Sequence, residues 1–83
     1  MPLQGANLAA ANLRDARLFL CDLSAADLSG AALDGADLTD ADLGGADLRG
    51  ARLTQRQLDS AYADGETQAA APLRIVARPR PRP

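Results

Sequence analysis

The sequence contains no histidine, lysine or tryptophan, and these absences restrict the chemistry that the chain can perform. Without histidine it lacks the side chain that most often serves as a general acid–base or a metal ligand near neutral pH. Its aromatic residues are Phe19 and Tyr62, which are too few to form a platform for stacking nucleic-acid bases. The formal net charge of -2 also disfavours nucleic-acid binding. We therefore expect no enzyme, no metal or other cofactor, and no direct nucleic-acid partner.

Cysteine and long apolar runs are equally scarce. The single cysteine, Cys21, excludes an internal disulfide. No apolar run approaches the roughly 18 residues that a membrane-spanning helix needs. The first residues also lack the basic start and apolar stretch of a secretory signal. We therefore expect one small domain, located in the cytoplasm and without a membrane partner.

What the sequence does contain is one five-residue unit, repeated through most of its length. Leucine occupies every fifth position from Leu3 to Leu58, and alanine stands two places before it from Ala6 to Ala51, with Cys21 as the exception. Leucines five apart would be scattered around an α-helix, which turns about 100° per residue. On a straight strand they would alternate between the two faces. Neither regular structure gathers these leucines on one side.

Short extended pieces separated by corners bring every leucine to one interior. If each corner turns about a quarter circle, four units complete a coil of about 20 residues, and coils stack about 4.8 Å apart. The small residue two places before each leucine then also points inward, so that Cys21 becomes a buried, inert thiol. The core leucines that we predict are Leu8, Leu13, Leu18, Leu23, Leu28, Leu33, Leu38, Leu43, Leu48, Leu53 and Leu58.

The units at 26–30 (Ala-Asp-Leu-Ser-Gly) and 41–45 (Ala-Asp-Leu-Gly-Gly) resemble the pentapeptide-repeat family, whose motif is Ala-(Asp/Asn)-Leu-x-x. The resemblance covers roughly residues 5–55. It implies an all-β fold, a right-handed quadrilateral β-helix, which would have about 2.5 coils here. We expect this β-helix to span residues 1–53.

The repeat changes at Thr54. Thr54 followed three residues later by Gln57 matches a capping box, and Leu58, Ala61 and Tyr62 have helical spacing. We therefore predict a short α-helix, roughly over 55–63, that closes the C-terminal end of the coil within a segment 54–65. Residues 66–83 are expected to be an extended, largely disordered Arg/Pro tail. The segment from Leu53 onward also resembles the C-terminal end of many bacterial members of the family, which implies that the array ends here.

The start of the chain shows no comparable cap. The end coil of a solenoid exposes core residues and unpaired backbone groups unless something covers them. Either a second copy of the protein covers the first coil, which would give a homodimer, or the chain is a piece of a longer repeat array. The sequence leaves both explanations open.

Two adjacent outward positions of the first coil are apolar, Phe19 and Leu20. In other units these places mostly hold small or polar residues. Exposed apolar groups side by side indicate an interaction surface, and we name this pair as the candidate partner contact. The alternative is that the N-terminal segment or the edge of a neighbouring coil covers them.

Asp22, Asp27, Asp42 and Asp47 form a candidate acidic face. An Asp before the central leucine can accept a hydrogen bond from nearby backbone and shape the corner, which is the structural interpretation. The functional interpretation follows from the resemblance, because some family members mimic duplex DNA and bind type II topoisomerases such as gyrase. A rod of 2.5 coils presents few charges for such mimicry. Asp34 and Asp40 occupy other places of the unit and are expected to be solvated surface.

These patterns favour a non-catalytic protein-interaction or scaffold module whose protein partner the sequence does not identify. The alternatives are a DNA mimic directed at a type II topoisomerase, and a remnant of a longer repeat protein.

Overall fold

The structure is a computed structural model that describes residues 2–70 and 73–78. Its backbone forms a β-helix in which parallel bridges join residues one coil apart. Asn7 pairs with Asp27, Asp27 pairs with Asp47, and Asn12 pairs with Ala32. Each of these three bridges spans four five-residue units, which is the register that the spacing of the leucines predicts. Among the described residues the pairing consists of isolated single-residue bridges, so each wall of the coil is a short extended piece.

Backbone hydrogen bonds between neighbouring coils run in both directions. The amide of Leu8 donates to the carbonyl of Asp27 at 2.8 Å, and the amide of Leu28 donates to Asp47 at the same distance. In the other direction, the amide of Asp27 donates to the carbonyl of Ala6 at 2.9 Å. These bonds satisfy backbone groups that would otherwise be buried without partners at the contact between coils.

A tight turn follows each inward leucine. The carbonyl of Leu8, for example, accepts a hydrogen bond from the amide of Ala11 at 3.0 Å. The residue two places after the leucine has a positive φ, which is the pattern of a type II turn. Glycine adopts this conformation without strain, and five of the ten turns between residues 5 and 50 use it. In the other five turns the left-handed residue carries a side chain: Ala10, Asp15, Leu20, Ala25 and Asp40.

The interior consists of stacked leucines separated by alanines. The leucines of the middle coils are at most 1% exposed, and they are Leu23, Leu28, Leu33, Leu38, Leu43 and Leu48. Leu8, Leu13 and Leu53, which lie toward the two ends of the coil, are half-buried. Leu18 and Leu58 are buried, at 6% and 2% exposure. The alanine beside each leucine leaves room for the facing side chain, and Cys21 fills one such place at 2% exposure.

The α-helix α1 spans Gln55–Ser60 and begins at the predicted capping box. The hydroxyl oxygen of Thr54 accepts from the Gln57 amide at 3.1 Å, and the Gln57 side chain accepts from the Thr54 amide at 2.8 Å. The helix ends earlier than the predicted residue 63, because Ala61 is already extended (φ -96, ψ 170).

Coil geometry resumes after α1, so the expected boundaries at residues 53 and 65 do not mark the end of the ladder. Tyr62 pairs with Asp42, and Gln68 pairs with Asp47. Ala61 and Ala63 fill the two inward positions of this unit at 1% and 3% exposure. The spacing of Leu58, Ala61 and Tyr62 is compatible with a helix, but Ala61 and Ala63 are equally compatible with a further repeat unit. Packing on the coil below favours the repeat unit over a longer helix.

The described part of the tail, residues 73–78, packs against the C-terminal end of the coil. Leu73 and Ile75 contact the core, and the Gln55 side chain exchanges two hydrogen bonds of 2.9 Å with the backbone of Arg74. This segment therefore packs on the coil, whereas the Arg/Pro run 79–83 lies outside the described residues. Within the described ranges α1 is the sole helix, and no helix there is long and apolar enough to cross a membrane.

Candidate functional site

Phe19 and Leu20 lie at the last corner of the first coil, and we call them the apolar corner. Their side chains are 52% and 65% exposed. The amide of Leu20 donates to the carbonyl of Thr39 at 2.9 Å, so the corner of the next coil, Thr39 and Asp40, stacks directly beside it. No described segment covers the apolar pair, and the corner combines exposed hydrocarbon with a neighbouring carboxylate.

Leu20 also has a strained backbone, with φ at +60°. A left-handed conformation costs a side-chain-bearing residue about 1–2 kcal/mol, and the exposed side chain recovers little of this through burial. Ala10, Asp15, Ala25 and Asp40 share this conformation, so the positive φ is a property of the turn.

Replacing Leu20 by glycine is expected to raise the free energy of unfolding by about 0.5–1 kcal/mol. Glycine removes the strain, although the greater freedom of the unfolded chain offsets part of the gain. Urea unfolding followed by circular dichroism measures the change. The matched control is Ala32→Gly, on a wall where φ is not positive, and this change should lower stability by about 0.5–1 kcal/mol. A Leu20→Gly chain less stable than the unsubstituted one would show that Leu20 contributes packing that its exposure does not reveal.

The N-terminal end of the coil lies next to the apolar corner. Leu3, Leu8 and Leu13 pack against the core on one side and are partly exposed on the other. In the coils above, the amide of each wall residue donates to the coil below, as Asp27 does to Ala6. The equivalent amide of Asn7 faces the open end. This end therefore presents apolar side chains together with backbone groups able to pair with a further edge.

The four residues of the candidate acidic face lie on two adjacent walls. Asp22 bridges to Asp42 on one wall, and Asp27 bridges to Asp47 on the next. In each case the carboxylate accepts a hydrogen bond from the amide two residues further on, at 2.9–3.1 Å. The carboxylates therefore shape the turns, as the structural interpretation predicts.

On the wall of Asp27 and Asp47, part of the negative charge is balanced by groups of the same chain. Arg49 donates two hydrogen bonds, of 2.9 and 2.8 Å, to the carboxylate of Asp47. The Arg49 side chain and its backbone amide lower the pKa of Asp47 to about 2. The hydroxyl and amide of Ser29 lower the pKa of Asp27. Both carboxylates remain ionised well below neutral pH, but part of the negative charge on this wall is neutralised within the chain.

The turns do not require negative charge at this place. Asn7 and Asn12 occupy the same position of the unit in the first coil, and their side-chain oxygens accept the same amide bond at 3.2 and 3.3 Å. An amide thus performs the structural role as well as a carboxylate does. The geometry of the turn therefore does not by itself require the negative charge of the four aspartates.

Asp34 and Asp40 are ion-paired, in contrast to the solvated surface that we expected. Arg14 and Arg52 approach the carboxylate of Asp34 at 3.9 and 3.3 Å. Arg78 approaches Asp40 at 3.1 Å. The Arg78–Asp40 pair joins residues 38 positions apart, and the five-residue pattern carries no signal for it.

A groove lies beside α1, at the C-terminal end of the coil. It is lined by Leu53, Thr54, Gln55, Asp59 and Leu73, together with Arg74 and Val76. The Thr54 hydroxyl is the N-cap of α1, and no basic side chain activates it. Among the residues that the structure describes, no group of three His, Cys, Asp or Glu is placed to hold a metal ion.

Comparison with known proteins agrees with the coil geometry. Residues 3–40 and 16–55 match the family model described as Pentapeptide repeats, in 8 copies. The chain is similar to the crystal structure of a pentapeptide repeat protein, Rfr23, from the cyanobacterium Cyanothece 51142, with 34% sequence identity and a TM-score of 0.76. The alignment covers 83% of this chain and 47% of that one, so this chain spans about half the length of Rfr23. No curated protein matches the sequence.

Proposed function

Because the chain belongs to the pentapeptide-repeat family, we propose that it is a small, non-catalytic interaction or scaffold module. In this proposal the coil is a right-handed quadrilateral β-helix of about 2.5 coils with α1 as its C-terminal cap. The single observation that carries the proposal is the apolar corner, where Phe19 and Leu20 are both more than half exposed.

The apolar corner suits a protein partner for an energetic reason. Each square ångström of apolar surface removed from water contributes about 25 cal/mol, and the corner presents two large side chains on walls that are otherwise polar. The backbone of Leu20 is already fixed by its hydrogen bond to Thr39, so little backbone entropy is lost when a partner covers this residue. The half-exposed leucines of the open first coil extend the same apolar surface.

A second copy of the chain is one partner that this surface would fit. The open end offers backbone donors and acceptors as well as Leu3, Leu8 and Leu13, and all of these could pair with an equivalent edge. The alternative of a longer array would instead place further repeats over the same leucines. Both arrangements bury the open end, but only the dimer depends on concentration.

The absence of catalysis is part of the proposal. The interior is filled by leucine and alanine, and the groove beside α1 combines a capping hydroxyl with side chains that have no nucleophile–base arrangement. A module of this kind acts by presenting its outer walls.

The DNA-mimic alternative rests on the columns Asp22–Asp42 and Asp27–Asp47. Coils stack about 4.8 Å apart, whereas duplex DNA carries one charge per 3.4 Å of each strand. Arg49 further neutralises Asp47. Two columns of two charges, one of them partly neutralised, imitate a duplex poorly. Inhibition of a type II topoisomerase by this chain would favour the alternative.

Substituting both Phe19 and Leu20 by serine is expected to abolish partner binding while leaving the fold intact. Sedimentation equilibrium over a range of concentrations detects self-association, and affinity capture with the chain as bait detects other proteins. The matched control is Ala9→Ser with Ala10→Ser, two corners earlier in the chain, where Ala10 also has a positive φ. A chain that remains monomeric, and that captures the same proteins with and without the two apolar side chains, would contradict the proposal.

A further inference from the structure

Arg78 occupies a small pocket on the coil surface. One of its guanidinium nitrogens, Nη1, donates to the carbonyl of Ser60 at 2.8 Å, and Nη2 donates to Oδ1 of Asp40 at 3.1 Å. The guanidinium carbon lies 4.4 Å from the centre of the Tyr62 ring. A carboxylate, a carbonyl and an aromatic face are the three kinds of group that bind a guanidinium best.

The repeat structure, and not the arginine, builds this pocket. Asp40 is the left-handed residue of its turn, and its amide donates to the carbonyl of Ser60 at 2.8 Å. Tyr62 is held by its bridge to Asp42. All three groups of the pocket are therefore fixed by hydrogen bonds between coils. Arg78 belongs to a segment outside the repeat, and its backbone amide donates to the carbonyl of Ala63 at 2.9 Å.

The ion pair that holds Arg78 is partly exposed and therefore weak. The side chains of Arg78 and Asp40 are 45% and 35% exposed, and an ion pair at such a site contributes at most about 1 kcal/mol. A second guanidinium that brings additional contacts can therefore displace Arg78. The pocket also adjoins the apolar corner, because Leu20 lies one coil below Asp40 in the same corner column.

We propose that Asp40, the Ser60 carbonyl and Tyr62 form a guanidinium-binding pocket that accepts an arginine of an extended partner peptide, and that Arg78 fills it in cis. This inference rests on the proposed function, since it gives the chemistry of the partner that the apolar corner binds. That partner would carry an arginine next to an apolar residue. The tail of this chain then competes with the partner for the pocket.

The choice of arginine over lysine follows from the geometry. Two donors of one planar group reach two acceptors, Ser60 and Asp40, while its face lies over Tyr62. An ammonium group is compact and strongly hydrated, and it lacks the flat face that stacks on the ring. The pocket should therefore discriminate between the two cations.

The test is direct binding of a peptide in trans. The receiver is the full chain carrying Arg78→Ala, Arg80→Ala and Arg82→Ala, so that its own tail cannot fill the pocket. The probe is a dye-labelled peptide with the sequence of residues 77–83, Ala-Arg-Pro-Arg-Pro-Arg-Pro, and fluorescence anisotropy at low ionic strength measures its affinity. We expect saturable binding that Asp40→Asn weakens by up to about fivefold. Tyr62→Leu should weaken it about threefold, and a probe with lysine at each arginine should also bind less tightly.

The matched control is Asp27→Asn, which also removes one carboxylate but lies on another wall, so it should leave the affinity for the probe unchanged. Asparagine tolerates the left-handed conformation, so Asp40→Asn should not disturb the backbone of residue 40. The unsubstituted chain provides a second measurement, because its Arg78 must first be displaced, and the probe should bind it several-fold more weakly. Absence of saturable binding, or equal effects of Asp40→Asn and Asp27→Asn, would overturn the pocket.

The same assay separates this inference from the proposed function. Phe19→Ser with Leu20→Ser in the receiver should not alter binding of the probe, which has no large apolar residue. If the probe binds but those substitutions leave partner capture unchanged, the apolar corner fails and the pocket stands. If capture depends on the corner but the probe does not bind, the pocket fails and the proposed function stands.

Discussion

Replacing Leu28 by alanine is expected to lower the free energy of unfolding by about 3–5 kcal/mol, whereas the same change at Leu8 should cost about 1 kcal/mol. The two residues occupy the same column of the ladder, one coil apart. Leu28 is fully buried between Leu8 and Leu48, and its removal leaves a cavity that the ladder cannot close. Leu8 lies at the open end, where water or a partner fills the space.

Urea unfolding monitored by circular dichroism measures both changes. A small domain of this length has a total stability of about 4–12 kcal/mol, so the Leu28→Ala chain is expected to lose a large part of its stability. The control is Leu48→Ala, which is equally buried and should match Leu28→Ala. If Leu8→Ala proves as costly as Leu28→Ala at high protein concentration and less costly on dilution, then a second copy covers the first coil in solution.

Gln57→Glu is expected to destabilise the chain by about 2–4 kcal/mol at neutral pH. The Gln57 amide nitrogen donates to the carbonyls of Leu33 and Ala36 at 2.7 and 2.9 Å, on the wall where α1 replaces the next coil. The side chain thus supplies the donors that a regular unit would supply from its backbone. Glutamate keeps nearly the same shape, but it loses both donors and places a carboxylate against the two carbonyl oxygens.

The same change at Gln4, which is exposed, should alter stability by no more than about 0.5 kcal/mol. The defect of the Gln57→Glu chain should also shrink at acidic pH, because the protonated carboxyl regains one donor. Chemical denaturation at neutral and at acidic pH gives both comparisons. Equal stability of the Gln57 and Gln4 variants would show that the coil carbonyls find other partners.

The candidate site could be predicted only in part. The position of Phe19 and Leu20 within the unit already places them outward, since inward places are set by the leucine frame. The pairing of Asp22 with Asp42 and of Asp27 with Asp47 follows from the same frame. The Arg78–Asp40 pair does not follow from it, because these residues are far apart in sequence and Arg78 lies outside the repeat.

The end of α1 shows why local patterns were insufficient there. Ala61 satisfies both a helical face and an inward place of the repeat. A six-residue helix has little stability of its own, so the ladder bond between Tyr62 and the coil below determines where it stops. Gln57 is a similar case, because the capping box predicted one of its roles and only the stacked wall revealed the other.

The sequence by itself determined the coil, because a strict five-residue period buries every leucine in one interior only when short extended walls are joined by corners. It also determined the family and the outward places. The tertiary structure alone decided how the C-terminal end is completed: α1 stops at Ser60, the ladder resumes at Tyr62, and the arginine of the tail reaches across to Asp40. Repeats encode contacts between equivalent positions, whereas the ends depend on contacts between residues that occupy no equivalent place.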